Sequence, residues 1–460
     1  MISKQDILDR ATEWQLRPDV VEKDYVLGWL LAGISSTSMR SHWIFKGGTC
    51  IKKCYFETYR FSEDLDFSLL PEGAYSAAAL VGCLQELATV VRDLSGLTFL
   101  PEVVEVKQRQ NKQGQITFEG KLGYRGPLEY PGSPKIRFDF TQHEPVIEPP
   151  ASRKVLHPYP DELSNNASVQ AYSFHELLAE KIRALVERSR PRDLYDVVHL
   201  IENASDDIDL THVRGLFGRK CASKSFSAPP LRKILSDIRA DTELHSEWQN
   251  MLAHQLPSLP NLDDVLLRLP AVLAWLEESV PQPASIRLAP ITAVGPERSA
   301  TTGIQFWGTG LPVEAIRFAG SNRLLLEFYY HGKHRVVEPY SIRQAGTGNV
   351  LLHAWETASG QSKSFKIDEM QSVRTSGQSF TPRYSIDVAT VSPAPIRSAT
   401  VRARPAAPRA VSGGPKYVYQ CGMCGKRFSH STQDSSLRKH KDKNGWDCSG
   451  HTGYWVNTIY

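Results

Sequence analysis

Two aspartates separated by a single residue could do chemistry together. In the stretch Ser62-Glu63-Asp64-Leu65-Asp66-Phe67, polar and apolar residues alternate in the way typical of a strand. Such a strand places Asp64 and Asp66 on one face and the intervening apolar residues on the other. Neighbouring carboxylates repel each other unless a cation lies between them. Oxygen ligands of this kind suit Mg²⁺, which can then hold the phosphates of a nucleotide.

A glycine turn precedes this strand, in Phe45-Lys46-Gly47-Gly48-Thr49. Gly47 and Gly48 allow backbone geometry that a Cβ would block, and they leave N–H groups free to approach a phosphate. Residues 49–55 can form a first helical turn, whose N-terminus favours anions. The two aspartates alone would indicate only a hairpin with solvated acidic residues. With the glycine turn in front of them, a nucleotide site is favoured.

These two segments resemble the signature of the AbiEii/AbiGii family of nucleotidyltransferase-like toxins, within the DNA polymerase β-type superfamily. In that family the glycine turn cradles a triphosphate, and the two aspartates bind divalent metals. The resemblance implies Mg²⁺ or Mn²⁺ on Asp64 and Asp66 and a nucleoside triphosphate as substrate. It also implies phosphate contacts from Gly47, Gly48, Thr49 and Ser62.

A third carboxylate follows on a later strand. After the amphipathic helix predicted at 77–94, strands are predicted at 98–106, 115–124 and 135–139. In the last of these, Asp139 is in phase with Arg137 and out of phase with the aromatic residues between and after them. In polymerase β-type enzymes such a strand supplies a third carboxylate. The resemblance therefore makes Asp139 the candidate base that activates an attacking hydroxyl. An exposed strand aspartate is the alternative.

A helical hairpin carries the next motif. Ser173 and Glu176 have the spacing of a capping box, so a helix is predicted to run from there to about Arg188, and Pro191 is well placed to start a second one. This segment is similar to the family's later motifs. The resemblance implies that the motif's charged residues act at the nucleotide site: Lys181, Arg188, Arg192, Asp193 and Asp196. A hairpin held together by ion pairs is the alternative.

A polar cluster ahead of the glycine turn, Glu22-Lys23-Asp24-Tyr25, also recurs in the family. It is either part of a surface helix with local ion pairs, or it places Lys23 or Asp24 against the nucleotide. From residue 209 to about 280 the pattern stays helical and predicts a cap on the catalytic core.

The composition indicates a soluble protein of several domains. The 460 residues predict about three domains, with 41% hydrophobic and 23% charged residues. No apolar run is long enough for a transmembrane helix, and the N-terminus does not resemble a signal peptide, so we expect a cytoplasmic protein without membrane contact. The predicted division is a nucleotidyltransferase domain at 1–285, a linker at 286–310, a β-barrel at 311–387, a second linker at 388–415 and a zinc finger at 416–460.

The barrel is predicted from short alternating strands between Glu314 and Val373, separated by turn residues. This segment is similar to the WYL domain, an SH3-like barrel, although it lacks the tripeptide that names that domain. The resemblance implies a nucleic-acid or nucleotide surface in which Arg335 takes part. A purely structural or oligomerising barrel is the alternative.

The C-terminal tail has the spacing of a metal site. Cys421 and Cys424 form a C-x2-C knuckle, and His440 and Cys448 follow, which predicts a Cys3His zinc site in a ββα-like finger; His451 is the alternative fourth ligand. The tail is basic, with eleven Lys/Arg against three Asp/Glu over 396–460. A helix at 436–441 is predicted to present three cations to nucleic acid: Arg438, Lys439 and Lys441. A finger that docks protein is the alternative.

Together these features predict an α+β chain with a polymerase β-type core, a helical cap, an SH3-like barrel and a zinc finger. The function predicted from the resemblance is a toxin or phage-defence enzyme. It would transfer a nucleoside monophosphate to an acceptor, either DNA or an RNA such as tRNA, and an antitoxin protein is a possible partner. The alternative is a nucleic-acid-binding sensor that uses the same fold without catalysis.

Overall fold

The computed structural model describes residues 1–71, 75–110, 114–163, 166–204, 208–277, 298–299, 310–345, 349–388, 416–442 and 444–459. By its contacts the chain divides into two units, Met1–Ile396 and Arg397–Tyr460. The linkers predicted at 286–310 and 388–415 lie almost wholly outside the described residues. Within the described part, no helix is both long and apolar enough to cross a membrane.

The first unit contains all of the α-helices of the described chain. They are α1 (Lys4–Glu13), α2 (Pro18–Ser35), α3 (Gly47–Cys54), α4 (Ala77–Ser95), α5 (Phe174–Arg188), α6 (Pro191–Glu202), α7 (Leu210–Ser223), α8 (Leu231–Ala240), α9 (Thr242–Leu252), α10 (Leu262–Leu273) and α11 (Val313–Ser321).

The strands of the first unit fall into two groups along the chain. The earlier group is β1 (Trp43–Lys46), β2 (Asp64–Leu69), β3 (Thr98–Gln110), β4 (Ile116–Arg125), β5 (Lys135–Thr141), β6 (Ala151–Lys154) and β7 (Ser168–Ala171). The later group is β8 (Arg298–Ser299), β9 (Leu324–Tyr330), β10 (Lys333–Gln344), β11 (Val350–Glu356), β12 (Gln361–Lys366) and β13 (Met370–Ser379).

A seven-stranded mixed sheet positions the acidic residues. Its strand order is β3-β4-β5-β2-β1-β7-β6, with β2 parallel to β5 and antiparallel to β1. Alternate residues point to opposite faces, so Leu65, Phe67 and Phe138 are buried on one face, where Leu84 of α4 packs against Gly120 of β4. The carboxylates lie on the other face. The helix and the three strands predicted between residues 77 and 139 are confirmed.

The helical hairpin formed by α5 and α6 begins at the predicted cap. The Ser173 hydroxyl accepts a hydrogen bond from the N–H of Glu176 at 3.0 Å. The reciprocal half of the predicted capping box is absent from the described structure, because the Glu176 carboxylate instead accepts the N–H groups of Ile147 and Glu148 and pairs with Lys220 at 2.7 Å. The hairpin turns at residues 189–190, and Pro191 opens α6 as predicted.

The second sheet departs from the predicted barrel at its start. Val313–Ser321 is a helix rather than a strand. Its buried residues Val313, Ile316 and Ala319 recur with helical spacing and pack against the second sheet. The sheet is antiparallel, in the order β12-β11-β10-β9-β13 with β8 beside β10. Among the described residues β12 and β13 do not pair, so the strand order does not close into a barrel.

Buried polar contacts join α6 to the residues that connect α11 to β9. The Tyr195 hydroxyl of α6 donates to the side-chain oxygen of Asn322 at 2.8 Å. Arg323 donates to the carboxylate of Glu202, also on α6, at 2.8 Å. Glu202 also accepts from Arg268 at 2.9 Å, so Arg323 is one of two cations on this carboxylate. Together these contacts hold α11 and the second sheet against α6.

The second unit is made of strands. They are β14 (Lys416–Cys421), β15 (Arg427–His430), β16 (His440–Lys441), β17 (Asp447–Cys448) and β18 (Gly453–Ile459), arranged as a three-stranded sheet β15-β14-β18 and a β16-β17 pair. The predicted ββα finger, with its helix at 436–441, is therefore wrong. Ser436 bonds to the Asp434 side chain and makes a β-bridge with Thr452, and His440 enters a strand pair, so no helix forms between them.

Candidate functional site

Three carboxylates share one face of the first sheet, although their oxygens do not all lie within 4.8 Å of one another. Asp66 of β2 lies directly opposite Asp139 of the parallel strand β5, and Asp64 is two residues away on the same face. All three are partly exposed, and none forms an ion pair with another described residue. Burial, and then the charges of Asp66 and Asp64, raise the pKa of Asp139 to about 6. Burial also raises the pKa of Asp64 and of Asp66.

The backbone of the glycine turn lies close to these carboxylates. Gly47 has a φ of 79°, and a Cβ built there would lie 2.0 Å from Oδ2 of Asp66. A Cβ on Gly48 would lie 2.7 Å from Nη2 of Arg60 and 2.9 Å from Oγ of Ser62. Helix α3 starts at this point, and no side chain caps it. Only glycine fits here, and the first N–H groups of the helix stay available to an anion.

Thr49 has a different position from the one predicted for a phosphate ligand. Its side chain is fully buried, and its hydroxyl donates to the backbone carbonyl of Asp64 at 2.5 Å. The hydroxyl therefore ties α3 to β2. Ser62 is half-buried and stands beside Gly48, so it remains at the turn.

Lys181 and Asp196 face each other across the helical hairpin. The ammonium of Lys181 lies 2.7 Å from Oδ2 of Asp196 and 3.6 Å from Asp193. Arg60 grips the same Asp196 carboxylate with two bonds, at 2.6 Å and 2.7 Å, and the Tyr59 hydroxyl donates to it as well. Burial alone would raise the pKa of Asp196, but these cations hold it well below its ordinary range. Asp196 is therefore a buried anion that fixes Arg60 and Lys181.

The pocket beside Asp66 contains mostly paired charges. We call it the Asp66 pocket; its lining includes Gly47, Asp66 and the cations Lys46, Lys181, Arg183 and Arg188. Lys46 pairs with Glu144, Arg183 with Glu180, and Arg188 grips Asp193 at 2.7 Å and 3.0 Å. The side chains are thus held in place before any ligand arrives.

A second pocket opens on the other side of β2. We call it the Asp64 pocket; its lining combines the carboxylates of Glu63 and Asp64 with the cations Lys23, Lys121, Lys135, Arg137 and Arg192. Lys23 pairs with Glu63 at 2.6 Å. Arg188 and Arg192, expected to act together on phosphate, therefore lie in different pockets. Asp24, the other candidate of its cluster, is fully buried and pairs with Lys53 at 2.6 Å.

Several site residues were not predicted from the sequence. Lys46, Arg60 and Glu144 carry charge beside the carboxylates, and Lys121 lies on the strand next to β5. Lys46 and Arg60 flank predicted motif residues directly, which is a usable signal. Lys121 reaches the site through the pairing of β4 with β5, and Glu144 lies in the segment that follows β5; the sequence gives no local sign of either placement.

Three cysteines and a histidine converge in the second unit. Ligand atoms of Cys421, Cys424, His440 and Cys448 all lie within 4.8 Å of one another, and this is the only such group of His, Cys, Asp or Glu side chains in the described chain. The strand pairing sets His440 opposite Cys448. His451, the alternative fourth ligand, lies outside the group.

The protonation pattern of this cluster suits a metal. Nδ1 of His440 lies 2.8 Å from the carbonyl of Arg438, whereas its buried Nε2 has no hydrogen-bond partner among the described residues. The N–H groups of Cys424 and Met423 lower the pKa of Cys421 to about 6. A Cβ on Gly450 would lie 2.4 Å from Sγ of Cys421, so the chain approaches the thiol as only glycine can.

The predicted nucleic-acid residues lie in three different settings. Arg335 of β10 pairs with the buried Glu356, which limits its freedom to bind a ligand. Arg438, Lys439 and Lys441 are exposed, but they lie on an irregular segment and a short strand rather than on one helical face. Large exposed aromatic side chains occur in the same unit, at Trp446, Tyr454 and Trp455.

A comparison with known families identifies most of the first unit. The family model described as "Nucleotidyl transferase AbiEii toxin, Type IV TA system" matches residues 29–278, more than half of the chain. No curated protein matches the chain. Among solved structures, the chain is similar to MenT4, a nucleotidyltransferase toxin from Mycobacterium tuberculosis H37Rv, with 20% identity and a TM-score of 0.44 over 61% of this chain and 91% of that chain. It is also similar to proteasome accessory factor B/C of Arthrobacter aurescens, with 10% identity and a TM-score of 0.15 over 84% of this chain and 36% of that chain.

The contact between Gly47 and Asp66 generates a prediction. Gly47→Ala is expected to destabilise the protein by at least about 1 kcal/mol and to abolish Mg²⁺-dependent nucleotide binding, because the added methyl collides with the carboxylate and the φ is unfavourable. Urea unfolding and calorimetric titration measure the two effects.

The matched control is Gly82→Ala in α4, where a Cβ meets no described atom within 4 Å. This change is expected to raise stability by about 1 kcal/mol and to leave binding unchanged. Nucleotide binding by Gly47→Ala at the wild-type level would contradict the assignment of the glycine turn to the site.

Proposed function

This chain belongs to the AbiEii family of nucleotidyl transferase toxins of type IV toxin–antitoxin systems, and from that premise we propose the reaction it performs. It transfers a nucleoside monophosphate from a nucleoside triphosphate to a hydroxyl of a nucleic-acid acceptor, in the first place an RNA such as tRNA. The observation that carries this proposal is the group of three carboxylates on adjacent strands, packed against a glycine turn that only glycine can form.

The carboxylates are of the ligand type that divalent metal ions prefer, although without an ion their oxygens do not all lie within 4.8 Å of one another. Asp64, Asp66 and Asp139 share one face, offer only oxygen atoms and have no ion-pair partner among the described residues. Such a set is costly to keep ionised without a cation, and hard cations such as Mg²⁺ or Mn²⁺ prefer oxygen ligands. When bound, the metal neutralises phosphate charge and aligns the attacking and leaving oxygens.

The chain's own groups bind the nucleotide and move the proton. The N–H groups at the start of α3 face a phosphate from the turn at Gly47, and Lys181 adds a positive charge in the Asp66 pocket. The acceptor oxygen forms a bond to the α-phosphorus, and the bond from that phosphorus to the bridging oxygen of pyrophosphate breaks. The proton of the acceptor hydroxyl passes to the carboxylate of Asp139, which lies directly opposite Asp66 on the neighbouring strand.

Asp193 and Asp196 act as positioning residues in this scheme. Asp196 holds Arg60 and Lys181, and Asp193 holds Arg188, so each carboxylate fixes a cation rather than contacting substrate. Arg188 lies at the nucleotide side, and Arg192 lies beside Asp64. Thr49 contributes through its backbone and through its hydroxyl bond to β2, and Ser62 supports the turn.

The remaining parts of the chain would bring the acceptor to this site. We assign Zn²⁺ to the Cys3His cluster, whose unpaired His440 Nε2 and lowered Cys421 pKa fit that metal. The exposed cations and aromatic residues of that unit suit a nucleic-acid backbone and its bases. The second sheet, with its WYL-like sequence, is assigned a supporting role in the same binding.

The biological setting proposed here follows from the family. A toxin that modifies a nucleic acid would arrest growth or block phage multiplication, and an antitoxin encoded with it would restrain the enzyme. The alternative function, a sensor that binds nucleic acid without catalysis, is decided by the experiment that follows.

The proposed reaction predicts label transfer. Full-length protein with Mg²⁺ and each α-labelled nucleoside triphosphate in turn is expected to label total RNA, and Asp64→Asn with Asp66→Asn is expected to lower the rate by at least about a thousandfold. Denaturing gels of RNA, DNA and protein identify the acceptor. Asp237→Asn, at an exposed helical aspartate, is the matched control.

Label on protein alone would refute the nucleic-acid acceptor. If no polymer is labelled but the protein still binds nucleic acid, the enzyme proposal fails and the sensor function is favoured.

The proposed zinc site of the second unit leads to a separate prediction about metal content and nucleic-acid binding. Full-length protein is expected to carry one Zn²⁺, measured by atomic emission, and Cys448→Ser is expected to lose it, together with nucleic-acid binding by this unit. Nucleotide binding in the first unit is expected to persist. His451→Ala is the matched control and retains the metal; loss of zinc in that variant and not in His440→Ala would contradict the assigned ligand set.

A further inference from the structure

We infer that the acceptor strand lies on the β4–β5 side of the carboxylates, in the Asp64 pocket, while the nucleotide occupies the Asp66 pocket. Its phosphates contact three cations that we call the cation row: Lys121, Lys135 and Arg137. This inference rests on the proposed function and adds to it the surface that binds the second substrate.

Strand register places the cation row beside the reacting groups. Arg137 lies directly opposite Asp64 on one side and Lys121 on the other, so the three side chains cross three adjacent strands on one face. Lys135 follows on the same face, two residues from Arg137. One step along the strands, the same alignment joins Asp66, Asp139 and Glu119. A strand bound on the cation row would therefore bring a hydroxyl next to Asp139.

Among the described residues, the cations named in the Asp66 pocket are paired with carboxylates, whereas those of the cation row are not, and this difference suggests a different substrate for each pocket. In the Asp66 pocket, Lys46, Lys181, Arg183 and Arg188 each have a carboxylate partner. In the Asp64 pocket, Lys121, Lys135 and Arg137 have none within 4 Å among the described residues. Cations without partners favour a ligand that brings several negative charges, as a phosphodiester strand does.

The rest of the Asp64 pocket supports the same ligand. Arg192 adds a fourth cation; its Nε donates to the carbonyl of Met251 at 3.4 Å. Glu63 is compensated by Lys23 at 2.6 Å and lies 3.6 Å from His254. Asp64 is the other carboxylate of the pocket, and a bound metal ion would neutralise its charge.

An aromatic side chain extends this surface. A separate open groove is lined by Arg17, Asp19, Tyr130, Ser133 and Pro134, and Arg17 pairs with Asp19 at 2.6 Å. Ser133 and Pro134 directly precede Lys135 in the chain, and Tyr130 is 45% exposed. A base of a single strand could stack on its ring, since stacking on aromatic side chains tolerates any base.

Fluorescence anisotropy of full-length protein with a labelled single-stranded oligoribonucleotide tests the inference. Lys121→Ala with Lys135→Ala and Arg137→Ala is expected to weaken binding at low salt by at least about tenfold. It should also lower the slope of log K against log salt by about 2, since each lost phosphate contact removes about 0.7. The matched control removes three exposed cations on α4 and α8, with Arg92→Ala, Arg232→Ala and Arg239→Ala, and is expected to change neither value.

Tyr130 gives a second, independent readout. Tyr130→Ala is expected to weaken binding by about tenfold without changing the salt slope, and Tyr130→Phe is expected to restore it. Photocrosslinking with a 4-thiouridine oligoribonucleotide should label peptides from residues 116–141. All variants keep the second unit, so its own contribution to binding is the same throughout.

The outcomes separate this inference from the proposed function. A cation-row variant that binds RNA with the affinity and slope of the control, or crosslinks confined to the second unit, would overturn the inference. So would the loss of nucleotide binding in that variant, because it would place the nucleotide in the Asp64 pocket. Failure of the wild-type protein to transfer any label would overturn the proposed function instead, whatever the binding shows.

Discussion

The repulsion between three neighbouring carboxylates is the constraint around which the first unit is built. Asp64, Asp66 and Asp139 are held on one face by the pairing of β2 with β5, and the aromatic residues of the same strands are buried beneath them. The strand pairing thus fixes the backbone positions from which the three side chains extend. The pKa of each of the three is raised above its ordinary value, so the bare cluster favours partial protonation. A divalent cation relieves the same repulsion and keeps all three ionised.

The glycine turn and the helical hairpin both contribute groups to the site around these carboxylates. Gly47 lies so close to Asp66 that a side chain at position 47 would displace the Asp66 carboxylate. The Thr49 hydroxyl bonds to the backbone carbonyl of Asp64 and so connects α3 to β2. Behind them, Asp196 holds Arg60 and Lys181 in fixed positions. Because the pKa of Asp196 is lowered in the folded state, the stability that it contributes is fully present above the ordinary aspartate pKa. That stability is lost as the pH falls from there through the lowered pKa. The charges that meet the nucleotide are thus set before it binds.

The sequence was sufficient wherever the information is local. The alternation around Asp64, the cap at Ser173 and the helix start at Pro191 each follow from residues within one turn or one strand, and each is confirmed. The placement of Glu144 and Lys121 depends on which distant segments pair, and no short sequence pattern indicates that pairing.

The errors have the same cause. Residues 313–321 form a short apolar run that fits either a strand or a helix, and packing against the second sheet decides for the helix. In the second unit the order of the cysteines, Phe428, Leu437 and His440 suggested a finger helix, although the spacing from Cys424 to His440 is longer than usual. The pairing of His440 with Cys448 brings the ligands together without one. The ligand set was predictable because it depends on residue type, while the helix was not.

The central claim is that the carboxylate cluster and the glycine turn form one site for metal and nucleotide together. Mn²⁺, observed by electron paramagnetic resonance, tests this most directly when it is titrated into the full-length protein with and without a nucleoside triphosphate that cannot be cleaved at the α–β bond. The account predicts weak Mn²⁺ binding by the protein alone, much tighter binding once the nucleotide is present, and loss of that gain in Asp66→Asn. Mn²⁺ binding that is unaffected by the nucleotide, or unchanged in Asp66→Asn, would contradict it.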